Sequence, residues 1–167
     1  ENTGLAVASV SWVRADQAAG QWQAEYYNNM SLSGAPALTR NEAAIDFNWV
    51  TGSPDPGVVS DDNFSARFTR TMDFPADNYT FMLTTDDGAR LWVNGHLLID
   101  AWFEQAATLY TEDIYLSGGP VELMVEYFEN TGFARLQLSW DPEVQGVPSD
   151  EAIIAGRRTA WSTTTPR

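Results

Sequence analysis

Along most of this chain apolar and polar residues alternate with a period of two, and turn-forming clusters interrupt the alternation at steady intervals. Trp22, Ala24 and Tyr26 share one face of a strand over residues 21–27, with Gln23, Glu25 and Tyr27 on the other. Asn63 to Phe74 alternates over a longer stretch, with Phe64, Ala66, Phe68 and Met72 on one face and Ser65, Arg67, Thr69 and Thr71 opposite. Shorter alternations cover Ile45 to Trp49, Tyr79 to Leu83, Tyr110 to Leu116, Val121 to Phe128 and Phe133 to Trp140. Leu91-Trp92-Val93 and His96 to Asp100 flank Asn94-Gly95, the pairing expected of a tight hairpin because both central residues must take positive φ. Residues 28–41 and 52–62 read as loops. Some nine short strands without helical periodicity predict an all-β, antiparallel sandwich or barrel.

Asp86-Asp87-Gly88, at the entrance to the hairpin, is the stretch that most invites a chemical reading. Neighbouring side chains of a regular strand point to opposite faces. Two consecutive aspartates can therefore serve one ion only if the backbone departs from strand geometry. A cis peptide between them would do so, and a hard cation with oxygen ligands is what such a pair would hold. On the tripeptide alone, an ordinary turn is the other reading.

The run Asp86-Asp87-Gly88-Ala89-Arg90-Leu91-Trp92-Val93-Asn94-Gly95, followed by Leu98-Ile99-Asp100 and Trp102, resembles the signature hairpin of the PA-fourteen family. That module occurs in anthrax protective antigen, in yeast and bacterial adhesins and as an insert in some glycosidases. The resemblance runs from Gln21 to Trp140. It takes in Ala24-Glu25-Tyr26-Tyr27, Asp62 to Phe68, Val125-Glu126-Tyr127 and Leu138-Ser139-Trp140. It implies a β-sandwich of that type and, in the glycan-binding branch, a calcium ion held by Asp86 and Asp87. A further ligand is implied from the loop before the last strand, either the amide oxygen of Asn130 or the carboxylate of Glu129. A glycan would then bind at Asp86, Asp87 and Asn130, with Trp102 and Phe103 as candidate stacking residues. The implied setting is extracellular or at the cell surface, and the implied role is non-catalytic.

Glu1 to Trp12 repeats Glu129 to Trp140 with seven of twelve residues identical at an offset of 128. Repetition at about one domain's length marks a tandem array. The first twelve residues thus read as the last strand of a preceding copy, 13–20 as a connector, 21–140 as the module and 141–167 as an extension. The same strand could pair with a neighbouring copy by strand addition, with Val10 and Trp12 entering its pockets. A structural or assembly role, as a homo-oligomer or filament, is the alternative to glycan binding.

Charge narrows the partners. The formal net charge is −14 and all nine basic residues are arginine. Nucleic acid and anionic membranes both need basic surface, and no apolar run approaches the ~20 residues of a spanning helix. Without cysteine and with a single histidine, His96, neither a thiol nucleophile nor a His/Cys zinc site can be built. No spacing among the plentiful acids selects a catalytic pair, so no enzyme activity is expected.

Overall fold

The computed structural model describes residues 20–143, and in them the period-two pattern becomes ten strands and no helix. They are β1 (Trp22–Tyr27), β2 (Leu38–Glu42), β3 (Asp46–Val50), β4 (Phe64–Phe74), β5 (Asp77–Asp86), β6 (Gly88–Val93), β7 (His96–Ala101), β8 (Thr108–Leu116), β9 (Gly119–Glu129) and β10 (Ala134–Pro142). A six-stranded sheet has the order β2-β1-β4-β9-β6-β7, and a four-stranded sheet has the order β3-β10-β5-β8. Every pairing between these strands is antiparallel.

Alternation decides what lies between the sheets. Phe64, Ala66, Phe68 and Phe74 of β4 meet Phe81 and Leu83 of β5, Leu91 of β6, Leu123, Val125 and Tyr127 of β9 and Leu136 of β10 in one buried cluster. Aromatic rings tie the layers together: Trp49 of β3 packs on Phe64 and Tyr127 of the opposite sheet at 5.6 and 5.7 Å between centroids. Phe74 of the larger sheet meets Trp140 of the smaller one at 5.6 Å. Such pairs stabilise a core beyond the area they bury.

β2 falls inside the stretch expected to be loop. Its sequence, Leu-Thr-Arg-Asn-Glu, carries one apolar residue, so its period-two pattern is not hydrophobic. Polar groups hold its inner face instead. Arg40 stands over the Tyr26 ring at 5.4 Å, Tyr26 Oη donates to Glu42 at 2.7 Å, and Arg40 Nε donates to the same carboxylate at 2.5 Å. β9 begins at Gly119, two residues before the alternation read from Val121. At the hairpin, Asn94 and Gly95 have φ of 50° and 75°, as their identities demand.

β10, the described half of the repeat, is an interior strand bordered by β3 and β5, so the pattern it carries is that of a strand paired on both edges. Val10 and Trp12, the expected assembly residues, lie outside the described residues.

Topology gathers four crossovers at one end of the sandwich. The chain passes between sheets from β3 to β4 through residues 51–63, from β5 to β6 at Asp87, from β7 to β8 through residues 102–107, and from β9 to β10 through residues 130–133.

Candidate functional site

The Asp86-Asp87 peptide is cis, with Asp86 the last residue of β5 and Asp87 the single residue between β5 and β6. Asp87 is tied to the crossovers of residues 102–107 and 130–133, and Asp86 to the first of them. Asp87 Oδ1 accepts the Gln105 N–H at 3.1 Å and Asp87 Oδ2 accepts the Asn130 N–H at 2.8 Å. Asp86 Oδ2 accepts the Ala107 N–H at 3.1 Å. Gln105 Nε2 adds a bond to the Asp87 carbonyl at 3.2 Å, and its Oε1 accepts Tyr110 Oη at 2.6 Å. Asp87 thus staples both neighbouring loops with one nearly buried carboxylate.

Glu129 ends β9 beside this pair and is wholly buried. Its Oε2 accepts Tyr127 Oη at 3.1 Å, and its Oε1 has no partner. Burial, first, and the Asp87 charge, second, push its carboxyl up to about 8, with smaller contributions from Asp86 and Asp62 and a lowering one from Tyr127. Asp86 is likewise raised, by burial and then by Asp87, against the lowering effect of the Ala107 N–H. The ion pairs of the described residues lie elsewhere, at Arg40–Glu42 and at Glu126 with Arg67 and Arg90. The charge of the Asp86–Asp87 pair is therefore uncompensated by any of them.

Four expected site residues thus come together: Asp86, Asp87, Glu129 and Asn130. Among the described residues no three His, Cys, Asp or Glu side chains converge at metal-binding spacing, so the carboxylates alone do not form a donor set. A cation here would draw on the two aspartates together with an amide or carbonyl oxygen. Asn130 suits this, since its backbone N–H and C=O are used by Asp87 and Asn63 while its side-chain amide makes no hydrogen bond among the described residues. Oxygen-only donors, uncompensated charge and the orphaned Glu129 Oε1 fit a hard cation.

The two aromatic candidates part company. Trp102 stands between Arg90, 4.2 Å from its ring centre, and Phe128, whose ring meets it edge-on at 4.8 Å. Those contacts make it a packing residue of the larger sheet's outer face. Phe103 is 54% exposed. Sequence reasoning missed Phe133, 62% exposed on the β9–β10 loop. Its place in an alternating pattern made it read as a strand residue, although β10 begins only at Ala134.

Gly88 has a role the turn reading did not anticipate. It pairs with Phe128 across β6 and β9, and a Cβ there would lie 2.1 Å from Phe128 Cε1. Trp102 blocks the ring's retreat on another side. Gly88→Ala is expected to lower stability by about 1–3 kcal/mol, the range for overpacking a filled site. Adding Phe128→Leu should recover part of the loss, and denaturant midpoints of the two variants would check this.

The described residues thus form an antiparallel β-sandwich whose sheet-to-sheet crossovers are tied together by an adjacent aspartate pair. Residues 17–152 match the model of the PA14 domain, and the chain belongs to that family. It is 41% identical over 123 residues to the anti-sigma-I factor RsgI3 of Acetivibrio thermocellus, covering 72% of this chain but 19% of that protein. The chain thus spans about a fifth of that relative's length. It also resembles a solved anti-sigma factor domain-containing protein at 39% identity and TM-score 0.69, over 75% of this chain and 44% of the other. A PA14 sugar-binding domain from an RTX adhesin shares the fold at 21% identity and TM-score 0.66, covering 77% of this chain and 93% of that one.

Proposed function

We propose that this module binds carbohydrate through a calcium ion held by Asp86, Asp87 and Asn130, without catalysis and on the outer side of the cell. The observation that carries the reading is the adjacent pair Asp86 and Asp87, whose charge no described ion pair balances, set beside the Asn130 side-chain amide and the buried Glu129 Oε1. Calcium takes six to eight oxygens, more than these side chains supply. Its remaining positions are left to water, and vicinal sugar hydroxyls can replace that water. The PA14 sugar-binding domain of the RTX adhesin supports the reading by its fold.

Calorimetric calcium titration followed by a glycan array tests it. Asn130→Ala is expected to weaken calcium and calcium-dependent glycan binding together, leaving the fold intact because the backbone bonds of residue 130 do not need its side chain. Glycan binding that persists in chelator would overturn the proposal.

The 41% identity to an anti-sigma-I factor favours a second, compatible reading. In such a parent protein the module would serve as the ligand-sensing part of a regulator. Fusing it to its parent and measuring sigma-factor release with and without a bound glycan would test that role.

A further inference from the structure

We propose that Gln105 is a positioning residue of the cation site: its side-chain amide, oriented by the Tyr110 hydroxyl, holds Asp87 by the main-chain carbonyl and so fixes the carboxylate before an ion arrives. This rests on the calcium reading above and names a residue that sets its affinity.

The need for such a hold comes from the chain itself. Asp87 is the single residue between β5 and β6 and enters no strand pairing of either sheet. Its carbonyl therefore has no ladder partner and needs a donor from elsewhere. Gln105 supplies one. Its Nε2 donates to the Asp87 carbonyl at 3.2 Å and, more loosely, to the Ala101 carbonyl at 3.5 Å. The backbone N–H of Gln105 donates to Asp87 Oδ1 at 3.1 Å. One residue thus grips both the main chain and the carboxylate of Asp87.

The residue type is specific. Two carbonyls on one side of the side chain accept only donors, which places the amide nitrogen there and turns Oε1 toward Tyr110. Tyr110 Oη donates to that oxygen at 2.6 Å. An apolar side chain at 105 would offer neither group.

The crossover does not need this amide to keep its course. Trp102 anchors its start between Arg90 and Phe128, and the Phe103 N–H donates to the Ala101 carbonyl at 3.0 Å. What the amide adds is the orientation of Asp87. Asp87 Oδ2 accepts the Asn130 N–H at 2.8 Å, so a turn of Asp87 would be felt on the other crossover as well. Groups that orient metal ligands from behind alter affinity by about 10–100-fold.

The test uses the full chain, with calorimetric calcium titration and with amide hydrogen exchange in chelator. Gln105→Ala is expected to bind calcium about tenfold or more weaker. Gln105→Met keeps the length of the side chain but not the amide, and should be as weak. Tyr110→Phe should shift affinity in the same direction by less. In chelator, the Asn130 N–H should exchange faster in Gln105→Ala although it lies on the other crossover, while exchange of the Phe103 N–H stays as in the parent. Parental calcium affinity in Gln105→Ala, or its recovery in Gln105→Met, overturns the assignment and leaves the calcium reading standing. Opening of the Phe103 and Asn130 amides together would show a structural role and overturns it too. If Gln105→Ala fails to fold, Tyr110→Phe decides, and parental affinity there sinks the assignment. A parent that binds no calcium removes the calcium reading itself, and the assignment with it.

Discussion

Asp87→Ala is expected to abolish the stabilisation of this protein by calcium. A ligand that binds only the folded state adds about 2.7 kcal/mol when its free concentration is a hundredfold above its dissociation constant. The parent should gain that much between chelator and saturating calcium, and the variant nothing. A second effect should appear in chelator alone. Asp87 accepts the N–H groups of Gln105 and Asn130, and its removal leaves both donors unpaired. Each unpaired buried donor costs about 1–3 kcal/mol, with the lower end expected because these loops can open to water. Relief of repulsion on Asp86 and Glu129 offsets part of this. Asp87→Asn retains an acceptor oxygen and removes the charge, so it should lose the calcium response while keeping more of the chelated stability. Thermal unfolding of the three proteins, with chelator and with calcium, separates these terms. An undiminished calcium shift in Asp87→Ala would remove Asp87 from the site.

The sheet core was legible because its inward positions are large, apolar and spaced by two. Phe64, Ala66 and Phe68, or Tyr79, Phe81 and Leu83, leave little choice of face, and the structure buries each of them. β2 was not legible, because the bonds that hold Arg40 and Glu42 against Tyr26 are polar and carry no hydrophobic period. The sandwich form, like the assembly of one end from four crossovers, depends on which strands share a sheet. Local alternation does not state that.

The site shows the same division. Asp86 and Asp87 stood out as adjacent carboxylates, and the likeness to PA-fourteen hairpins brought in Glu129 and Asn130 from more than forty residues away. The use of Asp87 as a staple for two loops was invisible, since both donors are backbone N–H groups that any sequence offers. Gly88 was read as a turn former, yet its lack of a side chain matters because of Phe128, a contact made across strands. Trp102 and Phe103 are neighbours in sequence with opposite environments. Only the positions of Arg90 and Phe128 distinguish them.

In chelator, the protein is expected to lose stability as pH rises from about 4.5 to about 8, the interval between the ordinary and the folded-state ionisation of Glu129. The sign follows from proton counting. Below this interval both folded and unfolded chains hold the Glu129 proton, so its contribution is fully present. Within it the unfolded chain has released the proton and the folded chain keeps it. Stability then falls by up to about 1.4 kcal/mol per pH unit, and it levels off once the folded carboxyl ionises too. Asp86, also raised, adds to the same trend at its acidic end. The groups facing Glu129 make the protonated form sensible. Tyr127 Oη lies 2.5 Å from the Asp86 carbonyl oxygen and 3.1 Å from Glu129 Oε2. One hydroxyl proton cannot serve both acceptors fully, whereas a protonated Glu129 can donate to Tyr127 while Tyr127 donates to Asp86. Ionisation instead sets a third charge beside Asp86 and Asp87. Glu129→Gln stays neutral at every pH and should flatten the slope across the interval. Denaturant unfolding at several pH values in chelator is the measurement. A parent protein that gains stability through this interval, or a Glu129→Gln variant that retains the full slope, would show that the proton is held elsewhere.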